Sequence, residues 1–533
     1  MKTVFELAEK LNIDKDYLVP YGYDKAKIDL QYMSKLKDHK DGKLVLVTAI
    51  TPTKAGEGKT TTTIGLNDGF NKIGVKSIAC LREPSLGPVW GIKGGAVGAL
   101  KSTIVPSDDI NLHFTGDFHA LTSTINLIAA VIDNHIYHGN ELNIDPNKIT
   151  WTRALDINDR ALRSVNVAQD DKKCESHHSE FVITVASELM SVFCLAENEE
   201  DFIRRANDII VAYNYNDEPV YLKDFHIGSA IGKMMKQALS PNLVQTLEEN
   251  PVIVHGGPFA NISFGCNSVI ATKLSRKLAD VVVTEAGFGA DLGAEKFLDI
   301  KCQYAGIEPS AVVLVATVRA LKLHGGIAFE NLDQQNIPAV LNGLPNLAQH
   351  AENVCKYGIP VVVSLNRFPS DTDEEIAEVQ KWCEDNGYAF ALNEAALKGS
   401  DGAVELATKV KEVLDTKPSN FKPIYNFNES IIYKISKVCT EIYRADRVEF
   451  SEQALQQISL YESMGYSKLP VCISKTPNSF TDDAKILGAP RNFTINIREV
   501  RLYAGAGLIV PLSGSLLMMP GLPKVPRAVD GNN

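Results

Sequence analysis

The sequence predicts an α/β fold built on a mostly parallel sheet, and three observations support this. An apolar run at 44–50 leads into a glycine-rich loop, and residues 60–73 then carry apolar side chains at helical spacing. Four further runs of β-branched residues, at 251–254, 281–284, 311–316 and 360–365, are typical of strands buried on both faces. Each run ends in glycines or polar groups, as ligand-facing loops of an open sheet do. A capping turn would explain any one of these loops, but it explains the whole set poorly.

The stretch from Thr51 to Thr61, with the sequence TPTKAGEGKTT, is the strongest functional signal. A glycine loop that opens a helix directs backbone N–H groups towards one point, where the helix dipole also favours an anion. Lysine supplies a positive charge for phosphate oxygens there, and the hydroxyl that follows it suits Mg²⁺. An ordinary glycine turn is the competing interpretation, but the strand before, the helix after and the Lys-Thr pair disfavour it. We therefore predict a loop that binds a nucleoside triphosphate, with Thr60 as the metal ligand, formed by Thr53, Lys54, Ala55, Gly56, Glu57, Gly58, Lys59 and Thr60.

This motif refines the predicted fold class and its division into domains. Thr53 stands where the Walker pattern has glycine, and the loop resembles the deviant P-loop of the nitrogenase iron protein. We predict a P-loop NTPase-like core with a mostly parallel sheet, plus additional α/β domains. At 533 residues the chain is too long for one core. The predicted division is 1–110 with 300–365 as the ATP-binding core, 111–299 as a second α/β domain and 366–533 as a C-terminal domain. Residues 1–43 are polar and lysine-rich, and we expect them to be helical.

Composition narrows the class of protein. The net charge of −11 argues against generic nucleic-acid binding, which needs a basic face. The nine cysteines include no Cys-x-x-Cys pair, which predicts reduced thiols and a cytoplasmic location. The N-terminus lacks the apolar core of a signal peptide, and no apolar run approaches the length of a membrane span. We therefore expect small-molecule substrates, with neither a nucleic acid nor a membrane as partner.

Arg82 is a candidate catalytic residue in addition to Lys59. It directly follows the apolar run 77–81, so it would lie near Lys59 if both strands belong to one parallel sheet. A guanidinium there can bind a phosphoryl group or a carboxylate with two donors. The competing interpretation is a surface salt bridge with Glu83.

Residue types alone leave two classes of enzyme open. One is a ligase that activates an acid by phosphorylation and passes the acyl group to an acceptor. The other is a deviant P-loop ATPase that drives a partner, although its members tend to be shorter. His113, Asp117 and His119 could be written as a metal triad, but their spacing matches no zinc signature, so we expect structural histidines.

Longer sequence blocks make the resemblance more specific. Along nearly its whole length the chain resembles the formate–tetrahydrofolate ligase family, in the blocks 51–61, 81–88, 109–120, 156–162, 255–260, 265–268, 284–296, 316–321 and 519–523. The resemblance implies that ATP, formate and tetrahydrofolate give 10-formyltetrahydrofolate, ADP and phosphate through formyl phosphate. It implies that Lys59 and Thr60 hold MgATP and that Arg82 binds formyl phosphate. It also implies a homotetramer and activation by a monovalent cation, K⁺ or NH₄⁺.

The folate-site segments depart from the family pattern. A phenylalanine and a tryptophan sandwich the pterin ring in the family; Phe368 matches the first, but Ala396 stands at the tryptophan position. Ile125 and Phe264 replace two histidines, and Arg527 interrupts the C-terminal tail. Two interpretations remain: an active ligase with a weakened folate site, or a divergent paralogue that binds ATP but has a lost or altered acceptor. The intact phosphate-binding residues favour the first.

Overall fold

The computed structural model describes residues 1–93, 97–169, 176–260, 263–514 and 517–530, and it is a mixed α/β structure. Its strands are β1 (Leu18–Pro20), β2 (Ala26–Ile28), β3 (Lys43–Ala49), β4 (Ser77–Leu81), β5 (Gly98–Ala99), β6 (Ser102–Val105), β7 (Ile144–Ile149), β8 (Arg153–Ala154), β9 (Val165–Val167), β10 (His177–Ser179), β11 (Phe181–Val182), β12 (Ile210–Asn214), β13 (Pro219–Tyr221), β14 (Asn242–Thr246), β15 (Pro251–Val254), β16 (Val281–Glu285), β17 (Ala311–Ala316), β18 (Val361–Asn366), β19 (Ala389–Asn393), β20 (Arg447–Phe450), β21 (Thr494–Ile497), β22 (Glu499–Tyr503) and β23 (Leu508–Leu512).

Helices cover the sheet and fill the segments between strands. The α-helices are α1 (Val4–Leu11), α2 (Tyr32–Lys35), α3 (Lys59–Lys72), α4 (Leu86–Pro88), α5 (Ser107–Asn111), α6 (Asp117–Tyr137), α7 (Glu188–Leu195), α8 (Glu199–Asn207), α9 (Gly228–Met235), α10 (Val269–Leu278), α11 (Gln303–Ala305), α12 (Val318–His324), α13 (Ile337–Lys356), α14 (Asp373–Asp385), α15 (Ala395–Lys398), α16 (Val404–Thr416), α17 (Ile431–Glu441), α18 (Glu452–Ser463) and α19 (Arg527–Asp530). Short π-helical segments lie at Val89–Lys93, Ala290–Ala294 and Phe297–Cys302, and 3₁₀ turns at Lys15–Tyr17, Arg160–Arg163, Thr184–Ala186, Leu222–Phe225, Phe329–Asn331 and Gly399–Ala403.

A twelve-stranded sheet forms the centre of the described structure. Its middle is a parallel block in the order β15-β4-β16-β3-β17-β18-β19. The antiparallel strands β14, β2 and β1 extend one edge, and β6 pairs with both β14 and β5. Smaller two- and three-stranded sheets account for the other strands. The predicted fold class, a mostly parallel α/β sheet with further α/β parts, is confirmed.

Strand β3 shows why the sequences of the parallel strands are continuous apolar runs. Val45, Val47 and Ala49 face a core shared with Leu66 and Phe70 of α3. The alternate residues of β3, from Leu44 onward, face the larger core on the other side of the sheet. Because both faces are covered, neither set of side chains needs to be polar.

The expectation that residues 1–43 are helical is wrong for their middle part. Strands β1 and β2 lie there, and β2 pairs with β14 at the sheet edge. Lys27 of β2 is buried, and its Nζ lies 2.7 Å from an Asp117 carboxylate oxygen. A charged side chain with a buried partner thus occupies a strand position, which composition alone cannot reveal.

The central sheet crosses the boundaries of the predicted domains. It takes β14 to β16 from the segment assigned to the second domain and β19 from the segment assigned to the C-terminal domain. The boundaries of the predicted domains therefore do not follow the hydrogen bonding of the sheet. The division of the chain into domains stays a prediction.

Asp68 ties α3 to the turn between β14 and β15 and gives the fold a pH dependence. One of its carboxylate oxygens accepts hydrogen bonds from Thr246 Oγ1 at 2.6 Å and Asn250 Nδ2 at 2.7 Å, and the other has no described partner. Burial raises the pKa of Asp68 from 3.8 to about 7. The native state therefore binds more protons than the unfolded state, and Asp68 lowers stability as pH rises from about 4 to about 7.

We expect Asp68→Asn to weaken this pH dependence. The neutral amide keeps an oxygen for Thr246 and Asn250 but needs no deprotonation, so the melting temperature should fall less between about pH 5.5 and pH 8 than in the wild type. Thermal unfolding of both proteins at the two pH values measures the difference. Parallel decreases in the two proteins would show that Asp68 does not titrate in this range.

Candidate active site

The glycine loop joins the carboxyl end of β3 to the N-terminus of α3, at the edge where the other parallel strands also end. Gly56 and Gly58 both have φ of +77°, a left-handed conformation that side chains disfavour. Gly58 is the N-cap of α3, and Lys59 and Thr60 are the first residues of that helix. Lys54 and Ala55 are exposed, Thr53 is buried, and Lys59 and Thr60 are half-buried. The loop therefore has the strand–glycine loop–helix geometry that the sequence predicts.

Glu57 holds the loop in shape from within. It is buried, and its carboxylate accepts a hydrogen bond from the Thr53 backbone N–H at 2.6 Å and another from the Thr317 hydroxyl. Asn366, the last residue of β18, donates from Nδ2 to the Glu57 carbonyl at 2.8 Å. The side chain of Glu57, a predicted ATP-binding residue, thus points into the protein and stabilises the loop conformation.

The first residue of the loop is also fixed. The Thr51 hydroxyl lies 2.9 Å from His350 Nε2, and the Thr51 carbonyl lies 2.9 Å from His324 Nε2. Burial lowers the pKa of His324 and lowers that of His350 to about 3. Both imidazoles are therefore neutral at physiological pH, and they brace the loop without adding charge.

Glu285 brings the predicted metal ligand and the predicted catalytic arginine together. The Thr60 hydroxyl donates to one Glu285 carboxylate oxygen at 2.7 Å, and Arg82 Nε lies 3.7 Å from the other. Arg82 Nε is buried and has no hydrogen-bond partner in the described structure. Strand β16, which ends at Glu285, lies between β4 and β3, so Arg82 and Lys59 stand one strand apart on the same edge. Gly287 adjoins the group, since a Cβ there would lie 3.1 Å from Arg82 Nη1.

The alternative pairing of Arg82 with Glu83 is not what the structure contains. Glu83 is buried, and one of its carboxylate oxygens has no described hydrogen-bond partner. Burial raises its pKa well above the usual value, with a further contribution from the Asp117 charge. The ion-pair partner of Arg82 is Glu285.

The two predicted folate-site residues follow the next strands of the sheet. Phe368 is half-buried just after β18, and the guanidinium carbon of Arg319 lies 3.8 Å from the centre of its ring. Ala396 is half-buried in α15, just after β19. Helix α15 packs closely on α3, since a Cβ at Gly65 would lie 2.3 Å from the Cβ of Ala395. The Trp382 ring stacks on Tyr388, with 5.7 Å between centroids.

Several residues at this edge received no individual role in the sequence analysis. Each is a polar residue at or just after the carboxyl end of a parallel strand, and they are Glu285, Thr317, Arg319 and Asn366. Their position at strand ends predicted the loops to which they belong, but not the contacts of each side chain. Their roles come from hydrogen bonds between residues far apart in sequence, from Thr60 to Glu285 and from Thr317 to Glu57.

Asp117, the acidic member of the possible metal triad with His113 and His119, is bound by side chains from other elements. Asp117 accepts from Asn242 Nδ2 at 2.8 Å in addition to its ion pair with Lys27. Within the described ranges, no group of three or more histidine, cysteine or acidic side chains has the geometry to hold a metal ion.

Comparison with known proteins identifies the family. A sequence model of formate–tetrahydrofolate ligase matches residues 1–532, nearly the whole chain. The chain belongs to the formate–tetrahydrofolate ligase family. It is therefore an enzyme of the ATP-dependent carbon–nitrogen ligase class. No helix in the described part of this ligase is long and apolar enough to cross a membrane.

The search of solved structures returned a weak likeness. A structure titled "FPGS-AMPPCP-folate complex" matches over 82% of this ligase and 80% of that chain, at 10% identity and a TM-score of 0.20. So low a score carries no argument about fold or function.

Proposed function

We propose that this enzyme ligates formate to tetrahydrofolate through formyl phosphate, giving 10-formyltetrahydrofolate, ADP and phosphate. The observation that carries the proposal is the Thr60–Glu285–Arg82 arrangement beside the glycine loop. It sets a guanidinium one strand from the loop lysine, an arrangement that suits transfer from ATP to a small carboxylate. Charge in phosphoryl transfer spreads over the phosphate oxygens, so positioned cations are the main catalytic requirement.

The chemistry explains why an arginine is needed beside the phosphates. A formate oxygen attacks the γ-phosphorus of ATP, the bond to ADP breaks, and formyl phosphate forms. The N10 amine of tetrahydrofolate then attacks the formyl carbon, phosphate leaves with the bridging oxygen, and the amine gives up its proton. In this scheme Lys59 neutralises the transferred phosphoryl group, and Arg82 binds the formyl phosphate with two parallel donors.

Mg²⁺ fits the donors that the structure provides. Mg²⁺ prefers oxygen ligands, and the Thr60 hydroxyl and the Glu285 carboxylate are such donors, 2.7 Å apart. Bound with ATP, the ion would offset the negative charge of the phosphates. We propose Thr60 as its direct protein ligand and Glu285 as the group that orients the Thr60 hydroxyl.

Phe368 is proposed as the stacking surface for the pterin ring. It follows β18, whose last residue, Asn366, contacts the glycine loop, so the acceptor would lie next to the nucleotide. The family's second stacking residue is absent, because Ala396 stands in its place. An active ligase with a weakened folate site is therefore the preferred proposal.

Restoring the missing ring is expected to tighten folate binding. A stacked base on an aromatic side chain is worth about 1–3 kcal/mol, so Ala396→Trp should lower the KM for tetrahydrofolate about tenfold. Ala396 is half-buried, which leaves space for the larger side chain on its exposed side. Steady-state kinetics with varied tetrahydrofolate measure the change. Leu397→Trp is the matched control, since Leu397 is exposed one residue further on and its KM should stay within twofold of the wild type.

Some parts of the proposal rest on the resemblance alone. These are a homotetrameric assembly and activation by K⁺ or NH₄⁺, whereas the proposed cytoplasmic location rests on the cysteine pattern. The alternative is a divergent paralogue that binds ATP but has a lost or altered acceptor, or an ATPase that drives a partner.

Omission of substrates separates these alternatives. We expect ADP release over many turnovers to require both formate and tetrahydrofolate, because without the acceptor the reaction stops at formyl phosphate. Acid quenching converts the product to methenyltetrahydrofolate, which is read by absorbance. ADP release that ignores tetrahydrofolate would favour the paralogue. ADP release that ignores formate as well would favour the partner-driving ATPase.

A further inference from the structure

Arg319 lies between the glycine loop and the ring of Phe368. Its guanidinium carbon is 3.8 Å from the ring centroid, which is van der Waals contact, and its Nη2 is 3.4 Å from the Gly56 carbonyl oxygen. Arg319 is the second residue of α12, which follows β17. One side chain thus touches both the loop proposed to bind ATP and the ring proposed to bind the acceptor.

The ring contact covers the flat face of the guanidinium, and the polar contact beside it is weak. The Gly56 contact is long for a hydrogen bond, and Arg319 Nε is buried without a hydrogen-bond partner among the described residues. The attraction of a cation for the face of an aromatic ring strengthens when water is excluded, as it is from the buried Nε. The ring contact therefore holds the guanidinium in this place together with the long Gly56 contact and the attraction of the nearby Asp371 charge.

The backbone of Phe368 is fixed as well. Its N–H donates to Asp371 Oδ2 at 2.8 Å, and the Asp371 N–H donates back to the Phe368 carbonyl at 3.0 Å. This turn leaves the side-chain torsions as the remaining freedom of the ring, and Arg319 restricts them from one face. A stacked ring between Arg319 and Phe368 would need about twice the separation observed, so the Arg319 face is closed to a ligand.

We propose that Arg319 is a positioning residue that holds Phe368 as a stacking platform with one open face for the acceptor ring. The inference rests on the proposed function and adds a residue to the acceptor site. Because Ala396 removes the second aromatic layer, Phe368 carries the whole stacking interaction, and its orientation decides the affinity. Contact with Gly56 also places the platform at a fixed distance from the glycine loop.

Coupling between the two side chains is the test. We expect Arg319→Ala to raise the KM for tetrahydrofolate about tenfold, while kcat and the KM for ATP stay within about twofold. Phe368→Leu should raise the same KM, and adding Arg319→Ala to it should change that KM less than twofold. Arg319→Lys keeps the cation without the planar group and should fall between the wild type and Arg319→Ala. Arg204→Ala, an exposed arginine of α8, is the control for the loss of one positive charge.

Thermal unfolding of each variant confirms that it is folded before kinetics are compared. Equal effects of Arg319→Ala in the wild-type and Phe368→Leu backgrounds would overturn the proposal. An effect on the KM for ATP with none on that for tetrahydrofolate would also overturn it, because Arg319 would then act on the loop alone. A wild-type protein that makes no product contradicts the proposed function instead. In that case, the affinity of each variant for tetrahydrofolate, measured by calorimetry, replaces the KM as the measure of coupling between Arg319 and Phe368.

Discussion

Arg82→Ala is expected to lower the kcat of formate-dependent product formation about a thousandfold. Removing one group that stabilises transition-state charge typically costs 10²–10³ in rate, and Arg82 is proposed to contact the phosphoryl group in both half-reactions. The structure adds a specific reason: Arg82 Nε is buried, lacks a hydrogen-bond partner and lies 3.7 Å from Glu285, so the guanidinium is held at the sheet edge without being neutralised by a close bidentate pair. The KM for ATP should change little, because the glycine loop is built from other residues.

Two companion variants sharpen this measurement. Arg82→Lys keeps the charge but loses the paired donors, and it should recover only part of the lost rate. Arg447→Ala removes an exposed arginine of β20 and should retain wild-type kinetics. Activity of Arg82→Ala within tenfold of the wild type would contradict the assignment of Arg82 as a catalytic residue.

Lys59→Ala is expected to lower kcat/KM for ATP by about two to three orders of magnitude. The lysine is the first residue of α3, beside Gly58, where the helix dipole and backbone N–H groups favour an anion. Its ammonium is proposed to supply the mobile charge for the transferred phosphate. Loss of that charge affects both the bound nucleotide and the transition state, so KM and kcat should both suffer. Steady-state kinetics with varied ATP measure the two effects separately.

The control for this variant lies on the same helix. Lys72→Ala removes the last residue of α3, which pairs with Asp401 at the surface, and it should leave the kinetics unchanged. A Lys59→Ala enzyme that keeps the wild-type KM for ATP and the wild-type kcat would show that the loop does not bind the phosphates through this lysine.

The parallel part of the fold was predictable because its signal is local. Residues of β3, β4, β15, β16, β17 and β18 are apolar on both faces, so the predicted runs match the observed strands to within one residue at each end. The glycine loop was equally predictable, since glycines between a strand and a helix are typical of such a loop. Gly56 and Gly58 do adopt the left-handed conformation there. Strand β2 was missed because its buried Lys27 is satisfied by Asp117, ninety residues away in sequence.

The candidate site was predictable in its residue types but not in its internal connections. The sequence indicated Lys59, Thr60 and Arg82, and the structure adds that Glu285 joins the last two. Glu57 lies in the loop, yet its carboxylate turns inward to Thr53 and Thr317. The pairings with Glu285 and with Thr317 join residues more than two hundred positions apart, and no local pattern encodes them.

Transfer of an oxygen label tests the central claim, that formate is activated by phosphorylation at this site, most directly. Formate labelled with ¹⁸O in both oxygens is incubated with the wild-type enzyme, MgATP and tetrahydrofolate, and the released phosphate is examined by mass spectrometry. If formyl phosphate forms, each product phosphate carries one ¹⁸O atom from formate, and Arg82→Ala releases labelled phosphate at a rate lowered about a thousandfold. Unlabelled phosphate released together with 10-formyltetrahydrofolate would contradict the account.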